Sequence, residues 1–467
     1  MRDVSVFFYF SIVFFILVSY KQIFLNTFLH YDEVGNYLPA WNYVDYGKYA
    51  FTVQSPDTFN STSPFITIGA YVGYSLVLFC SYLGSEWHIA RLYTYLHTVL
   101  LLCFVYLLVK KYFNKKIALL ACTVLMLNSI FITYSTRIMG EIPALMGCFL
   151  GFWAYLHGKE KKQFWWYTLA FAGFQISILS KEYFAILIGL TLFFTWIFQD
   201  KCRFSPAFWL GLTLPLVIIM WYFFHFQDIH LIQTYFKERQ IYRIEFFAWK
   251  LDALQWLIFK PLIWIGYILH SIKCYIQKRH TDIFLWIFQT LYLFLFLVSI
   301  GFERFGIGLC IISSIYTAEF LYGLYSIPAI TKVQRVMIYS LFVVLLIQKS
   351  PYLLWKNPEK KPVLPLQNYE NKVLHTPELS LIPLIVKNSY QIPLYPPAKF
   401  KPKNYDNNAV HIIQSQYMKA DVLILGEYAR TEYPNVYNKQ IIEKHFEKSY
   451  IDKHYEIWVK KFINTTL

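Results

Sequence analysis

The sequence predicts an α-helical polytopic membrane protein ending in a small α/β domain, and three observations carry that prediction. The first is composition. Of 467 residues, 57% are hydrophobic and 21% aromatic, while only 15% are charged; a soluble domain averages about 25% charged residues. The second is a succession of apolar runs, each near the roughly 20 residues that a membrane-spanning helix needs. The third is a change in texture near residue 351, where prolines gather and the long apolar runs cease. The boundary separates a transmembrane domain over 1–350 from a tail domain over 351–467.

The formal charge of +15 raises the question of nucleic acid. The lysines and arginines lie in short clusters between apolar runs, a distribution that suits membrane orientation and gives no nucleic-acid partner. The seven cysteines, at 80, 103, 122, 148, 202, 274 and 310, fall singly in or beside apolar runs. They read as small buried hydrophobes, not as disulfides or metal ligands. The first run, Val4 to Tyr20, lacks a multiply charged leading region and an Ala-x-Ala-like cleavage site, so it is read as a retained helix.

Taken in order, the spanning runs are roughly 4–24, 89–109, 116–136, 138–157, 164–180, 183–199, 205–225, 255–273, 282–301, 304–328 and 333–350. A further run, Thr67 to Gly84, is apolar enough to cross, and charge decides its placement. Basic clusters occur at Lys110/Lys111/Lys115/Lys116, Lys159/Lys161/Lys162, Lys201/Arg203, Lys273/Lys278/Arg279 and Lys332/Arg335. Short Lys/Arg-rich loops belong in the cytoplasm. All five fall on one side with Arg2 only if 67–84 does not cross. That run, carrying Tyr71, Tyr74 and Tyr82, is therefore expected to be interfacial or re-entrant. The expectation is about eleven spanning helices, an inner N-terminus and an outer tail.

The segment 26–66 is then an outer loop, with one amphipathic helix from Val34 to Tyr46 ended by Gly47-Lys48-Tyr49. A second outer segment, 226–254, alternates Lys237, Arg239, Arg243 and Lys250 with Tyr235, Tyr242, Phe246 and Trp249, as a flap on the membrane surface would. In the tail, Ala420–Leu425 and His454–Val459 read as strands, and Asn438–Tyr450 as a helix.

With this topology the outer turns carry acids beside bases: Asp32 and Glu33 after the first helix, then Arg137 with Glu141, Lys181 with Glu182, and Glu303 with Arg304. Ionisable groups near a membrane are costly and usually functional. Each has a plainer explanation. Arg137 and Glu141 have the spacing of an i, i+4 helix-surface pair. Lys181–Glu182 reads equally as a solvated turn, and Glu303–Arg304 as an anchor in the headgroups. Asp32–Glu33 suits the cap of the helix that follows. The joint pattern on one face is what favours a site. His97, in mid-helix, reads as a satisfied core histidine, and Glu319 is left unassigned.

These residues resemble the GT-C glycosyltransferases, in particular the bacterial relatives of protein O-mannosyltransferases and of the lipid A aminoarabinose transferase. The matching stretches are Asp32-Glu33, the basic turn Lys110–Lys116, Arg137-Ile138-Met139-Gly140-Glu141-Ile142-Pro143, Ser180-Lys181-Glu182-Tyr183 and Glu303-Arg304-Phe305. They run in order over roughly 1–330. Where the family often continues Arg-Tyr with Pro soon after, Phe305 and Gly306 follow Arg304 here. The resemblance implies a GT-C fold and a sugar donor on polyprenyl or dolichyl phosphate. It also implies transfer to an acceptor hydroxyl, on a glycolipid, glycan or protein, at the outer face of a bacterial plasma membrane.

It further implies Asp32 as general base, with Glu33 beside it, and direct displacement with inversion. The phosphate leaving group would be met by Lys181 and Arg304, with Arg137, Arg239 and Arg243 behind them. Glu141, Glu182 and Glu303 would orient those bases or bind the acceptor. No cofactor is required by the residues; a divalent metal occurs in the superfamily. Two rivals stay open at this stage, a membrane glycan polymerase or ligase and a lipid-linked sugar flippase. The flippase would show repeated halves with polar groups at the midplane, and no internal repeat is present.

Overall fold

The computed structural model describes residues 2–26, 29, 31–49, 52–53, 59–60, 70–181, 183–198, 205–226, 251–258, 260–277, 280–300, 303–326, 331, 333–334, 353, 364–369, 372–378, 381, 390–391, 410–411, 414–415, 417–452 and 454–461. The expected flap at 226–254, apart from its ends, the run 335–350 and most of the proline-rich stretch 351–402 lie outside the described residues. In chain order the first elements are α1 (Arg2–Tyr20), a π-turn (Lys21–Leu25), α2 (Tyr31–Tyr46), β1 (Thr52–Val53), β2 (Phe59–Asn60) and α3 (Ala70–Leu83). Next come α4 (Trp87–Tyr112), α5 (Lys115–Leu127), α6 (Ser129–Tyr134), α7 (Glu141–Lys161), α8 (Phe164–Ser180), α9 (Tyr183–Phe198) and α10 (Pro206–Phe226). The helical part ends with α11 (Leu251–Ile258), α12 (Pro261–Gln277), α13 (His280–Leu295), a short 3-10 turn (Glu303–Gly306) and α14 (Ile307–Ser326). The tail holds β3 (Val373–His375), β4 (Tyr390–Gln391), β5 (Val422–Leu425), α15 (Glu427–Glu432), α16 (Lys439–His445), β6 (Phe446–Ile451) and β7 (Glu456–Lys460).

Two compact units result. The first comprises Met1–Thr27, Thr67–Val72 and Arg91–Glu359; the second comprises Phe28–Ile66, Gly73–Ala90 and Lys360–Leu467.

The first unit is a helical membrane bundle. Among the described residues, four helical stretches are long and apolar enough to span a bilayer: Ser5–Leu25, Trp87–Tyr112, Thr281–Val298 and Arg304–Leu324. Shorter apolar helices at Tyr183–Ile197 and Pro206–Val217 accompany them. On α1, Val6, Phe10, Val13 and Leu17 are each more than half exposed. So broad an apolar surface is a lipid face, because water would drive it to associate. Inside, rings replace lipid: Phe152 meets Phe284 and Phe288 edge-on at 4.9 Å. Between α7 and α8 the fit depends on small residues. A Cβ on Gly173 would lie 2.7 Å from the Gly147 carbonyl oxygen, so the two helices touch backbone to backbone.

Two expected spans are broken. The run 116–136 divides at Asn128, whose side chain accepts from the Ile130 and Phe131 amides at 3.1 Å and so starts α6 afresh. The run 255–273 divides before Pro261, which opens α12, where a proline costs no hydrogen bond. The seventh helix begins at Glu141, not at 138, because residues 135–140 form a turn.

The bundle sorts its charges by end. Lys110 and Lys111 close α4, Lys115 and Lys116 open α5, and Lys159 and Lys161 close α7. Lys111 pairs with Glu160 at 2.5 Å, and Lys116 lies over the Tyr322 ring near the close of α14. The same end holds a buried network. Lys273 pairs with Glu319 and stands 3.8 Å from Asp282, which is fully buried and accepts a hydrogen bond from Tyr316 Oη at 3.1 Å. His270 bonds Gln289 Oε1 at 2.7 Å and the Asp282 carbonyl at 2.8 Å, and stacks on Tyr316. Glu319 thus acquires a partner, and α12, α13 and α14 are tied together by charge.

The described cysteines form no disulfide. Cys80, Cys122, Cys148 and Cys310 are buried as expected, whereas Cys103 is exposed on α4. His97 is buried, bonded through Nδ1 to the Tyr93 carbonyl at 2.9 Å and through Nε2 to Tyr71 Oη at 3.1 Å, as a core histidine should be.

In the second unit, α2 buries Val34, Tyr37, Leu38 and Trp41. Tyr37 donates to the Ser85 carbonyl, and Ser85 Oγ donates to Asp45 at 3.0 Å. The helix ends where Gly47 turns left-handed, φ +67°, as its sequence predicts. Helix α3 occupies most of the run 67–84 and leaves Tyr82 86% exposed. The tail forms a five-stranded sheet in the order β4-β3-β5-β7-β6, with β3 parallel to both neighbours and β7 antiparallel to both of its own. The expected helix 438–450 is only half helix. It stops at His445, and Phe446–Ile451 pairs with β7 as an edge strand. Pairing with Ile457, Trp458 and Val459 outweighed the helical spacing of the sequence.

Candidate active site

At the end of the bundle opposite the basic turns, three helix ends meet on one carboxylate. Glu141 is the first residue of α7 and only 2% exposed. A carboxylate suits that place, because the opening of a helix carries partial positive charge. Lys181 follows the last residue of α8, and its Nζ lies 3.4 Å from Glu141 Oε1. Arg304 occupies the 3-10 turn before α14, and its Nε lies 3.3 Å from the same oxygen.

The geometry has a backbone cause. A Cβ on Gly140 would stand 2.7 Å from the Ser180 carbonyl oxygen and 2.9 Å from Lys181 Cε. Only glycine lets the 135–140 turn approach the end of α8 this closely, and that approach brings Lys181 over Glu141. The cationic side chains are each about a quarter exposed or less, at 25% and 21%. They are thus held from the buried side by Glu141 while keeping some surface open. Among the described residues, two cations on one anion leave a net positive charge, a setting for an anionic ligand.

Aromatic side chains wall the cluster. The Arg304 guanidinium lies over the Phe305 ring at 5.0 Å, Tyr183 meets Phe305 edge-on at 5.5 Å, and Tyr183 Oη is 3.5 Å from Tyr292 Oη. Gly306 packs against Trp256, over which Lys260 stands at 5.4 Å.

The other expected site residues are placed as follows. Arg137 precedes α7 and lies over the Tyr134 ring at 5.0 Å, so the i, i+4 helix pair with Glu141 does not form. Glu33 is buried in the first turn of α2, in the second unit. The side chains of Asp32 and Glu303, and the residues Glu182, Arg239 and Arg243, lie outside what the structure describes. Among the described residues no group of three His, Cys, Asp or Glu is placed to hold a metal ion.

Two groups escaped sequence reasoning. The Lys273–Asp282–Glu319 network joins residues too far apart in sequence for a spacing rule. Arg91, 3% exposed near the start of α4, was legible as a lone charge within an apolar run.

Residues 70–223 match the family model described as dolichyl-phosphate-mannose-protein mannosyltransferase. No curated protein sequence matches the chain. Among solved structures, it is similar to ArnT from Cupriavidus metallidurans bound to undecaprenyl phosphate, at 12% identity and a TM-score of 0.65, covering 96% of this chain and 97% of that one. It is also similar to the oligosaccharyltransferase AglB from Archaeoglobus fulgidus, in complex with an inhibitory peptide and a dolichol-phosphate. There the identity is 11% and the TM-score 0.58, over 98% of this chain and 75% of that one. The chain therefore has the GT-C fold, that of the integral-membrane glycosyltransferases.

Proposed function

We propose that the protein transfers a sugar from a polyprenyl- or dolichyl-phosphate carrier to an acceptor hydroxyl at the outer face of the membrane. The observation that carries this reading is the convergence of Lys181 and Arg304 on the buried Glu141 carboxylate. A bundle end that gathers two cations suits a phosphate. The similar ArnT and AglB structures contain undecaprenyl phosphate and dolichol-phosphate respectively, which supports a lipid-phosphate donor here.

In the proposed reaction Asp32 takes the proton of the acceptor hydroxyl as its oxygen attacks the anomeric carbon. The bond between that carbon and the phosphate oxygen breaks, and the electron pair leaves with the lipid phosphate. Lys181 and Arg304 stabilise the charge that develops there. A single displacement inverts the anomeric centre. Glu141 holds the two cations in place before the donor arrives, so no reorganisation is needed at the moment of transfer. Asp32 enters this reading through its sequence position and the motif resemblance. No step calls on a metal.

The test uses purified full-length protein in lipid nanodiscs with synthetic undecaprenyl-phosphate mannose, glucose, galactose and aminoarabinose, and membrane extract as acceptor source. Release of undecaprenyl phosphate with one donor, lost in Lys181→Ala and Arg304→Ala, is the expected result. Equal release by both variants would remove the cation pair from the reaction.

A further inference from the structure

Arg91 is a charged side chain in an apolar helix, and burial to 3% exposure obliges it to find partners. It finds backbone. Its Nη1 donates to the Gln22 carbonyl at 2.8 Å and also to the Asn26 carbonyl. These two residues bracket most of the π-turn with which α1 ends. The last carbonyls of a helix lack partners within it and carry partial negative charge. Arg91 therefore both satisfies and clamps them. π-turns are rare, and often accompany function.

Gln22 faces a second way. Its Oε1 accepts from Thr136 Oγ1 at 2.8 Å. Further along α4, Thr98 Oγ1 donates to the Ser135 carbonyl at 2.7 Å. Helix α4 thus grips the 135–140 turn twice, once directly and once by way of Gln22. That turn carries Arg137 and Gly140 and delivers Glu141 to the site.

We infer that Arg91, Gln22 and Thr136 are positioning residues. They fix the turn that presents Glu141 to Lys181 and Arg304, and the point where the chain leaves α1 to run on to Asp32. The inference rests on the proposed sugar transfer and adds the device that sets its geometry. A displacement of the order of 1 Å in such a site costs about 10²-fold in rate. Binding of the long lipid depends mainly on its apolar chain and responds less.

The experiment uses the full-length protein with Thr136→Val, Thr136→Ser, Arg91→Lys and the double variant Arg91→Lys/Thr136→Val, and the undecaprenyl-phosphate sugar released fastest by the wild type. Three quantities are measured: kcat, donor KM, and hydrogen exchange of the amides over 135–141. Thr136→Val is expected to lower kcat about 10-fold, and Arg91→Lys between 10- and 100-fold, with KM within about threefold of wild type. Exchange over 135–141 should rise at least about fivefold in both. Thr136→Ser, which keeps the hydroxyl, should restore both readings. The double variant should lose less than the product of the single losses, because both act through Gln22.

Wild-type kcat in Thr136→Val and Arg91→Lys overturns the inference, as does unchanged exchange over 135–141 or strict multiplicativity in the double variant. Loss of folded protein with unchanged kcat per folded molecule makes the role structural only, and also overturns it. Should Arg91→Lys fail to fold, Thr136→Val decides, since it removes a single hydroxyl. Failure of the underlying reading looks different: Lys181→Ala and Arg304→Ala would then both release undecaprenyl phosphate at the wild-type rate.

Discussion

Arg304 Nε and Glu141 Oε1 lie 3.3 Å apart, though one residue opens the last described membrane helix and the other opens the seventh. The same oxygen also meets Lys181, so Glu141 is the hinge of the site's electrostatics. Glu141→Gln removes the anion that the two cations share. The expected cost is about 2 kcal/mol of stability, less than for a fully buried pair because both cations keep partial exposure. Donor KM should rise about 10-fold as the cations splay. Thermal unfolding in nanodiscs and donor kinetics measure the two effects together.

Gly140 tests the backbone cause of that arrangement. Gly140→Ala places a methyl 2.7 Å from the Ser180 carbonyl oxygen. The turn must withdraw from α8, and Lys181 must withdraw with it. The expected outcome is a fall of about 10-fold in donor kcat/KM with a modest loss of stability, about 1–2 kcal/mol. Donor kinetics indistinguishable from wild type would show that the close approach is not needed.

Asp32→Asn should abolish transfer while the protein stays folded in the membrane, because an amide takes no proton at neutral pH. Undecaprenyl phosphate release is the readout. Near-normal release would take Asp32 out of the role of base.

At the other end of the bundle the network around Lys273 gives a prediction of a different kind. Lys273→Ala removes the cation that the buried Asp282 shares with Glu319, a change expected to cost about 3–5 kcal/mol. Tyr316→Phe removes only one hydrogen bond to Asp282 and should cost about 1 kcal/mol. Thermal midpoints of the two variants in nanodiscs should therefore differ by several degrees. Equal midpoints would show the ion network to be energetically idle.

The tail offers a pH test. Burial, the largest single influence, raises the Asp452 carboxyl, but the amides of Tyr455 and His454, which donate to it at 2.6 and 2.7 Å, together with the His454 side chain and the Tyr450 hydroxyl, outweigh it and hold the group below the usual carboxylate range. A lowered carboxylate favours the folded turn at pH values above its unfolded pKa, and the benefit is lost as pH falls through the folded value. Amides of the β6–β7 turn should thus keep their hydrogen-exchange protection at pH 6 and lose it below about pH 4. Asp452→Asn should show the weaker protection at both.

Much of this was legible in the sequence because two of its signals are simple. Apolar runs fix where helices can cross, and the alternation of basic turns with acid–base turns sorts their ends. The acid–base turns mark Glu141, Lys181 and Arg304 among others, the family resemblance gives them their roles, and the structure joins these three. What escaped had a physical reason in each case. Asn128 caps a new helix inside an apolar run, a local hydrogen-bond choice that hydropathy averages away. Phe446–Ile451 has helical spacing and becomes a strand only because β7 is there to pair with it. The plainer i, i+4 pairing of Arg137 with Glu141 fails because the helix starts after Arg137. The clamp of Arg91 on the end of α1 joins α4 to backbone carbonyls, and carbonyls are invisible to any reading of side-chain types.

The ion pairs at both ends of α14 have one more consequence. Arg304 is fastened to Glu141 just before the helix begins, and Glu319 to Lys273 near its close, roughly 20 Å further along. A rod pinned at both ends to its neighbours cannot slide or tilt alone to suit a thinner or thicker bilayer, and the helices it is pinned to must move with it. Lipid thickness should therefore act on this protein as a tuning parameter. In membranes whose hydrocarbon depth differs from the apolar length of the bundle, part of the mismatch reaches the end that holds Arg304, and activity in nanodiscs of different lipids should peak at one acyl-chain length.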